Sequence, residues 1–157
     1  MSPVSRLKST LFALCMLFTG NALAIDAEDL VEARQGLMKL YAINMDLLGD
    51  MIRGNIRYSQ KRAQAIADNL LALSRMNNAA LWKSGTSIAD RGMRGRTSAR
   101  PEIWQNRGDV SERYQQLAMS LEALAKNAGW SVDALEENIA DVNAACKGCH
   151  RQYRAKR

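Results

Sequence analysis

The chain has 157 residues, a formal net charge of +6, and 47% hydrophobic against 24% charged residues. This balance fits one globular domain and argues against a disordered chain, which would hold fewer apolar residues. Three cysteines and one histidine are too few for a dense disulfide framework. The positive charge can attract an acidic partner, but no nucleic-acid-binding motif accompanies it, so we expect no nucleic acid partner.

The first 24 residues have the pattern of a secretory signal peptide. Two basic residues precede the apolar stretch 11–18, and an A-x-A cleavage pattern ends at Ala24. The apolar stretch is too short to cross a bilayer, which takes about 20 residues. We therefore predict a signal peptide over 1–24 and a mature domain over 25–157, whose net charge is +4 because Arg6 and Lys8 are removed. Such a chain is expected in the periplasm, without stable insertion into a membrane.

Four stretches of the mature chain have apolar residues at helical spacing. We predict helices over about 28–52, 60–76 and 104–127, and a fourth that begins after the N-cap Ser131 and runs to the C-terminal end. Each helix has one apolar stripe that must be buried against the others. The sequence therefore predicts an all-α protein, an antiparallel four-helix bundle.

A long connection separates the second and third predicted helices. Residues 84–100 are rich in Gly, Ser and Arg, and their only acidic residue is Asp90. Loops of this length are often functional or mobile. Because runs of charge commonly serve solvation, we favour a solvated, flexible loop over a docking patch.

The most specific motif is Cys146-Lys147-Gly148-Cys149-His150, a C-x-x-C-H sequence typical of c-type haem attachment. In such sites two thiols add across the haem vinyl groups, and the histidine that follows is the proximal iron ligand. On a helix, positions three and four apart share a face, so Cys146, Cys149 and His150 can point at one macrocycle. The cysteines also continue an apolar stripe that begins at Val132. We predict one covalent, iron-containing haem c, held in the core.

Three other interpretations of the motif fit less well. A zinc site normally needs four protein ligands, or three plus water, and after loss of Cys15 the chain keeps only two cysteines and one histidine, all in this motif, which is one short of a four-ligand cysteine and histidine site. A thioredoxin-like C-x-x-C expects a nearby strand, and no convincing strand pattern is present. A disulfide between Cys146 and Cys149 would leave His150 without a role.

Several segments resemble the class II cytochromes c, the cytochrome c′ family. The tail from Cys146 to Arg154 resembles the family's C-x-x-C-H-x-x-[YF]-R ending. Residues 100–104 match its R-P-E-I-W entry to the third helix, and 34–38 resemble its first-helix segment. The resemblance implies a four-helix bundle with one haem c, often a homodimer packed through the first helix. Five-coordinate members bind nitric oxide or carbon monoxide, whereas low-spin members place a first-helix methionine on the iron and act as electron carriers.

Two first-helix residues are further site candidates. Arg34 lies on the apolar stripe of the first helix, where a lone charge needs a partner. By the family pattern it binds a haem propionate, which a guanidinium can grip with two hydrogen bonds; the alternative is a side chain that extends to the surface. Met38 lies one turn further on. It is either an iron ligand, as in the low-spin branch, or a packing residue of the core.

Other aromatic and basic residues have less specific expectations. We expect Trp82, Trp104 and Trp130 to pack in the core or between helices. Tyr153 is expected beside the haem ring. Arg154 shares a helical face with His150, where it either tunes the iron or is solvated at the surface.

Electron transport in the periplasm is the leading functional hypothesis. One haem c would cycle between ferric and ferrous iron while it exchanges electrons with periplasmic redox proteins. The alternative is a five-coordinate protein that binds nitric oxide or carbon monoxide. An enzyme such as a peroxidase is not expected, because the mature chain has no second histidine for acid–base work.

Overall fold

The structure, a computed structural model, describes residues 25–156, so the predicted signal peptide lies outside the described residues. The helices, in chain order, are α1 (Ala27–Ile52), α2 (Gln60–Arg75), α3 (Glu102–Gln105), α4 (Arg107–Asn127) and α5 (Val132–Tyr153). A 3₁₀ helix spans Ala79–Trp82, between α2 and α3.

The four long helices form the predicted bundle. Helix α1 packs on α2, α2 on α4, α4 on α5, and α5 back on α1, so each long helix touches two others. All four supply core side chains, and the largest fully buried ones are Leu48, Leu70, Leu121, Leu124, Leu135 and Val142. Burial of each contributes about 1.5–3 kcal/mol. Within residues 25–156, no helix combines the length and apolarity needed to span a membrane.

Local signals set the helix ends close to the predicted positions. Helix α1 ends before Gly54, whose φ of +73° is a left-handed conformation that glycine adopts without strain. The side chains of Ser59 and Ser131 accept hydrogen bonds from the backbone N–H groups of Arg62 and Ala134, and so cap α2 and α5. These boundaries confirm the predicted helices over 28–52 and 60–76, and the start of the fourth.

The prediction of one continuous third helix from Trp104 was wrong. The chain leaves helical geometry at Asn106, with φ −115° and ψ 49°, so α3 is separate from α4. The Asn106 N–H bonds to the carbonyl of Glu102, which completes the single turn of α3.

The connection between α2 and α3 is packed against the bundle rather than solvated throughout. Thr86, Ser87, Met93 and Thr97 are buried, so the expectation of a solvated loop was wrong at these positions. Their polar atoms have partners within the connection: for example, the Ser87 hydroxyl and N–H both donate to Asp90. Local hydrogen bonds therefore allow this polar segment to be buried.

The end of this connection is attached to the end of α5. Ala99 and Arg154 form an isolated antiparallel bridge. The Ala155 N–H donates to the carbonyl of Ser98 (2.8 Å), and the Arg100 N–H donates to the carbonyl of Tyr153 (2.9 Å). These bonds hold the connection beside the helix that carries the C-x-x-C-H motif.

Candidate haem site

The C-x-x-C-H motif lies in the last two turns of α5, where all three side chains are within one helical segment. Cys146 and Cys149 are free thiols, both partly buried, and Cys146 packs against the core. The disulfide interpretation therefore does not apply to this structure. Among residues 25–156, no group of three or more His, Cys, Asp or Glu side chains could hold a metal ion.

Both thiols are held in their neutral form. Burial raises the pKa of Cys146, and the neighbouring Cys149 adds to the shift. Burial also raises the pKa of Cys149, although the Arg113 guanidinium opposes part of this change. Buried, protonated thiols are poor candidates for redox or nucleophilic chemistry.

His150 is exposed at the end of the motif. Partial desolvation, followed by the positive charge of Arg154, lowers the pKa of His150. The neutral imidazole, the form that ligates metal, is therefore favoured at neutral pH. Arg154 is close enough to act on His150 electrostatically, and its own side chain is exposed.

One buried polar atom beside the motif has no protein partner. The hydroxyl oxygen of Tyr41, on α1, is buried without a hydrogen bond among the described residues. Burial, followed by the nearby Tyr114 hydroxyl and then Cys146, raises the pKa of Tyr41. A buried hydroxyl without a partner is costly, and such atoms are common at sites that take another group. Two free thiols, an imidazole and this hydroxyl fit a covalently bound haem.

Arg34 is buried, with only 4% of its surface exposed, so the surface alternative does not hold. One terminal nitrogen, Nη1, donates to the Thr86 hydroxyl (2.7 Å) and the Leu81 carbonyl (3.2 Å). The other, Nη2, donates to the Thr86 carbonyl (2.9 Å). The guanidinium carbon lies 4.8 Å from the ring centroid of Trp82 and 5.9 Å from that of Trp104.

These contacts identify a partner of Arg34 that the sequence did not reveal. The guanidinium binds the connection between α2 and α3, and the faces of two indole rings stabilise its charge. Burial lowers the pKa of Arg34, but an arginine remains charged. The propionate contact stays a prediction.

Met38 is 37% exposed on α1, between the buried residues Leu37 and Tyr41. Its thioether lies one helical turn beyond Arg34, on the helix that packs against α5. Ligation of iron by Met38 stays a prediction.

Sequence reasoning missed a hydrogen-bonded group that links α4 to the motif-bearing turn. The Asp109 carboxylate accepts from the Tyr153 hydroxyl and from Nε of Arg113 (2.6 Å). Arg113 also donates to the Gln152 side chain (3.3 Å). Arg113, followed by Tyr153, lowers the pKa of Asp109. The spacing of Asp109 and Arg113 (i, i+4) was the available signal, although it does not reveal Tyr153 as the partner.

Two of the three tryptophans pack as expected. The rings of Trp82 and Trp104 lie 6.4 Å apart, and the Trp104 indole N–H donates to the Trp82 carbonyl (2.8 Å). Trp130 is 72% exposed, so the expectation that it packs between helices was wrong. It follows Gly129 in the α4–α5 turn, where its backbone N–H donates to the Asn127 carbonyl (3.0 Å) and its own carbonyl accepts from the Gln60 side chain (3.4 Å).

Comparison with known proteins identifies the family. The sequence profile described as Cytochrome C′ matches residues 29–154. The chain belongs to the cytochrome c′ family. It is 33% identical to a cytochrome c′ of Cereibacter sphaeroides, covering 87% of this chain and 89% of that protein. It is 30% identical to cytochrome c-554 of the same species, covering 99% of both.

Solved structures of cytochromes c′ share the fold. A cytochrome c′ from Rhodobacter sphaeroides superposes with a TM-score of 0.78 and 32% identity, over 84% of this chain and 99% of that one. A second, described by a ligand-controlled dimer dissociation, has a TM-score of 0.76 and 28% identity, over 85% and 99%. A third, a ferrous variant from Alcaligenes xylosoxidans with bound NO, has a TM-score of 0.72 and 27% identity, over 85% and 99%.

Membership confirms two predictions made from the sequence. The fold is the four-helix bundle of this family. The cofactor is covalently attached haem c with its iron. Attachment of that haem through Cys146, Cys149 and His150 stays a prediction.

Proposed function

We propose that this chain is a periplasmic electron carrier and not an enzyme, with one haem c attached through Cys146 and Cys149 and ligated by His150. Bound haem c supplies a one-electron couple between ferric and ferrous iron. The observation that carries the proposal is Met38, which lies one turn after Arg34 on the helix packed against the motif-bearing α5. When haem is bound, a methionine ligand would keep the iron low-spin and raise its potential, which suits a carrier.

The protein side chains have distinct tasks in this proposal. Cys146 and Cys149 anchor the cofactor, while the lowered pKa of His150 keeps its imidazole available as a ligand. Hydrogen bonds from Tyr153 and Arg113 to Asp109 hold the turn that carries these ligands. A fixed ligand set limits structural change on electron transfer, because the iron environment stays similar in both oxidation states.

Similarity to cytochrome c-554 over nearly the full length of both chains is compatible with this role. A second candidate is a five-coordinate protein that binds nitric oxide or carbon monoxide. It is favoured by the solved cytochrome c′ with bound NO and by another with bound carbon monoxide, both from Alcaligenes xylosoxidans. In that case Met38 would not bind iron, and gas would have direct access to the sixth position.

Optical spectra of the purified holoprotein in the ferric and ferrous states separate the two candidates. Low-spin spectra in both states, with slow or weak carbon monoxide binding, support the carrier. High-spin spectra with rapid gas binding support the second candidate. The measurement needs no knowledge of redox partners.

We also propose that two copies associate through α1. Leu40, Ile43 and Leu47 are 40–49% exposed and recur at helical spacing, so they form an apolar stripe on the outside of the bundle. Exposed apolar patches commonly mark protein interfaces. One similar cytochrome c′ structure is described by its dimer dissociation, which supports a second copy of this chain as the partner.

A further inference from the structure

The end of α5 carries a cluster of exposed cations next to the motif. Lys147, Arg151, Arg154 and Lys156 are all exposed. None of them has a salt bridge to another described residue. Lys147 and Arg151 are four residues apart within α5 and so share a helical face, while Arg154 and Lys156 follow directly after the helix.

The connection between α2 and α3 brings one more cation to this end. Arg94 is exposed and has no salt bridge within the described chain. Its backbone forms a bridge with Thr97, and the next residue, Ser98, accepts the hydrogen bond from Ala155. The backbone of Arg94 is thereby tied to the segment that pairs with Ala155, so we group Arg94 with the four cations in and just beyond the end of α5. We call these five residues the basic end surface.

Three neighbouring cations differ, because each has an acidic partner. Arg96 pairs with Glu28, and Arg100 lies 3.6 Å from Glu102. Arg113 binds Asp109 at 2.6 Å. The five cations of the basic end surface thus keep their full charge toward solvent, and like charges held together favour an external anion.

We propose that the basic end surface docks the acidic face of a redox protein, so that one electron passes at the bundle end that carries His150. This inference rests on the proposed electron-carrier function. The exchange moves a single electron between the two redox centres, with no bond made and no proton transferred. Clustered charge of this kind steers diffusional encounter and raises association rates by about 10- to 1,000-fold at low salt.

A protein partner fits better than a membrane surface. Helices that bind anionic bilayers add large apolar side chains that enter the headgroup region. The five members of the basic end surface are all cations, and the continuous exposed apolar stripe Leu40, Ile43 and Leu47 lies on α1 instead. Charge alone, without an apolar anchor, suits a transient complex between two soluble proteins.

The test uses the full-length holoprotein and an acidic blue-copper protein as probe, with electron exchange followed by stopped flow. The Arg94→Glu/Arg151→Glu variant replaces two cations of the basic end surface with carboxylates. The Lys61→Glu/Lys126→Glu variant makes the same change in net charge at the other end of the bundle, where both lysines are exposed. We expect the second-order rate constant to fall about tenfold or more in the first variant at low ionic strength, and less than about twofold in the second.

Midpoint potentials and melting temperatures of both variants check that the driving force and the fold are unchanged. Equal rate losses in the two variants, or none in either, would overturn the docking surface while leaving electron transport intact. A wild-type protein that cannot be reversibly reduced and reoxidised would instead overturn the proposed function. A third outcome would overturn the protein partner and assign the surface to a membrane. In that case the wild-type protein binds phosphatidylglycerol vesicles, Arg94→Glu/Arg151→Glu alone abolishes this binding, and electron exchange is unchanged in both variants.

Discussion

The hydroxyl of Tyr153 donates a hydrogen bond to the carboxylate of Asp109, 44 residues earlier in the chain. This bond joins the last turn of α5 to the first turn of α4. Because Tyr153 is three residues after His150, it fixes the turn from which the imidazole projects. Tyr153, which we expected beside the haem ring, is therefore also a link between two helices.

Replacement of Asp109 tests this link through its pH dependence. Hydrogen bonds from Arg113 and Tyr153 lower the folded-state pKa of Asp109, so its stabilising effect is complete above the unfolded value of about 3.9 and is lost as the pH falls below it. We expect Asp109→Asn to lower the urea midpoint at pH 7, and the difference from wild type to shrink as the pH falls through the lowered folded-state pKa. Tyr153→Phe, which removes one of the two donors, should cause a smaller loss. If the difference in urea midpoint between Asp109→Asn and wild type did not change with pH, the charge of Asp109 would not be the cause of the stabilisation.

Replacement of either motif cysteine tests covalent attachment. The mature mass should equal residues 25–157 plus one haem, and the pigment should survive acid–acetone extraction. Cys146→Ala or Cys149→Ala should impair maturation, because one thioether can no longer form. Colour that extracts freely from the wild-type protein would contradict the attachment.

Substitution of Arg34 tests its two roles, which are to hold the connection between α2 and α3 and to bind a haem propionate. Arg34→Leu removes three hydrogen bonds and the charge, and we expect a loss of about 2–4 kcal/mol in stability with a shifted redox potential. Arg34→Lys keeps the positive charge but lacks the planar guanidinium group with its several donors. It should therefore lose stability while its redox potential stays closer to that of wild type. An unchanged potential in Arg34→Leu across pH and salt would argue against a propionate contact.

Substitution of Met38 tests its ligation of iron. If the thioether is bound, Met38→Ala should convert a low-spin spectrum to high-spin and speed the binding of carbon monoxide. Met45→Ala, at another methionine of α1, is the matched control and should leave the spectrum unchanged. A wild-type protein that is already high-spin would show that Met38 is not a ligand and would favour the gas-binding function.

A charge within the apolar stripe of α1 tests the homodimer. We expect Ile43→Glu to convert a dimer to a monomer in analytical ultracentrifugation, because a buried carboxylate without a partner disfavours association. Met119→Glu on α4, also at an exposed apolar position, is the control and should leave the mass unchanged. A wild-type protein that is monomeric at all concentrations would contradict the proposal.

The long helices and the motif could be predicted because their signals are local. Apolar periodicity, the Ser59 and Ser131 caps and the Gly54 stop each depend on a few neighbouring residues. The C-x-x-C-H spacing is equally compact. The break at Asn106 has no comparable local signal, since the residues on both of its sides are helical.

The contacts that sequence reasoning missed join distant parts of the chain. Arg34 and Thr86 are 52 residues apart, and no periodic pattern connects them. The burial of Thr86 likewise depends on its partners, because a polar residue in a loop is normally solvated. The exposure of Met38 follows from how α1 packs, so its residue type and spacing did not reveal it.

The pairing of the connection with the tail of α5 also brings the two ends of the described chain together. Arg96 binds Glu28 at the start of α1, and Ser98, two residues later, binds Ala155 beyond α5. Neighbouring chain ends are what permit circular permutation. A short linker could join Ala155 to Ile25, with new ends opened in the α1–α2 turn near Gly54. The C-x-x-C-H motif would then lie in the interior of the sequence while keeping its place in the bundle.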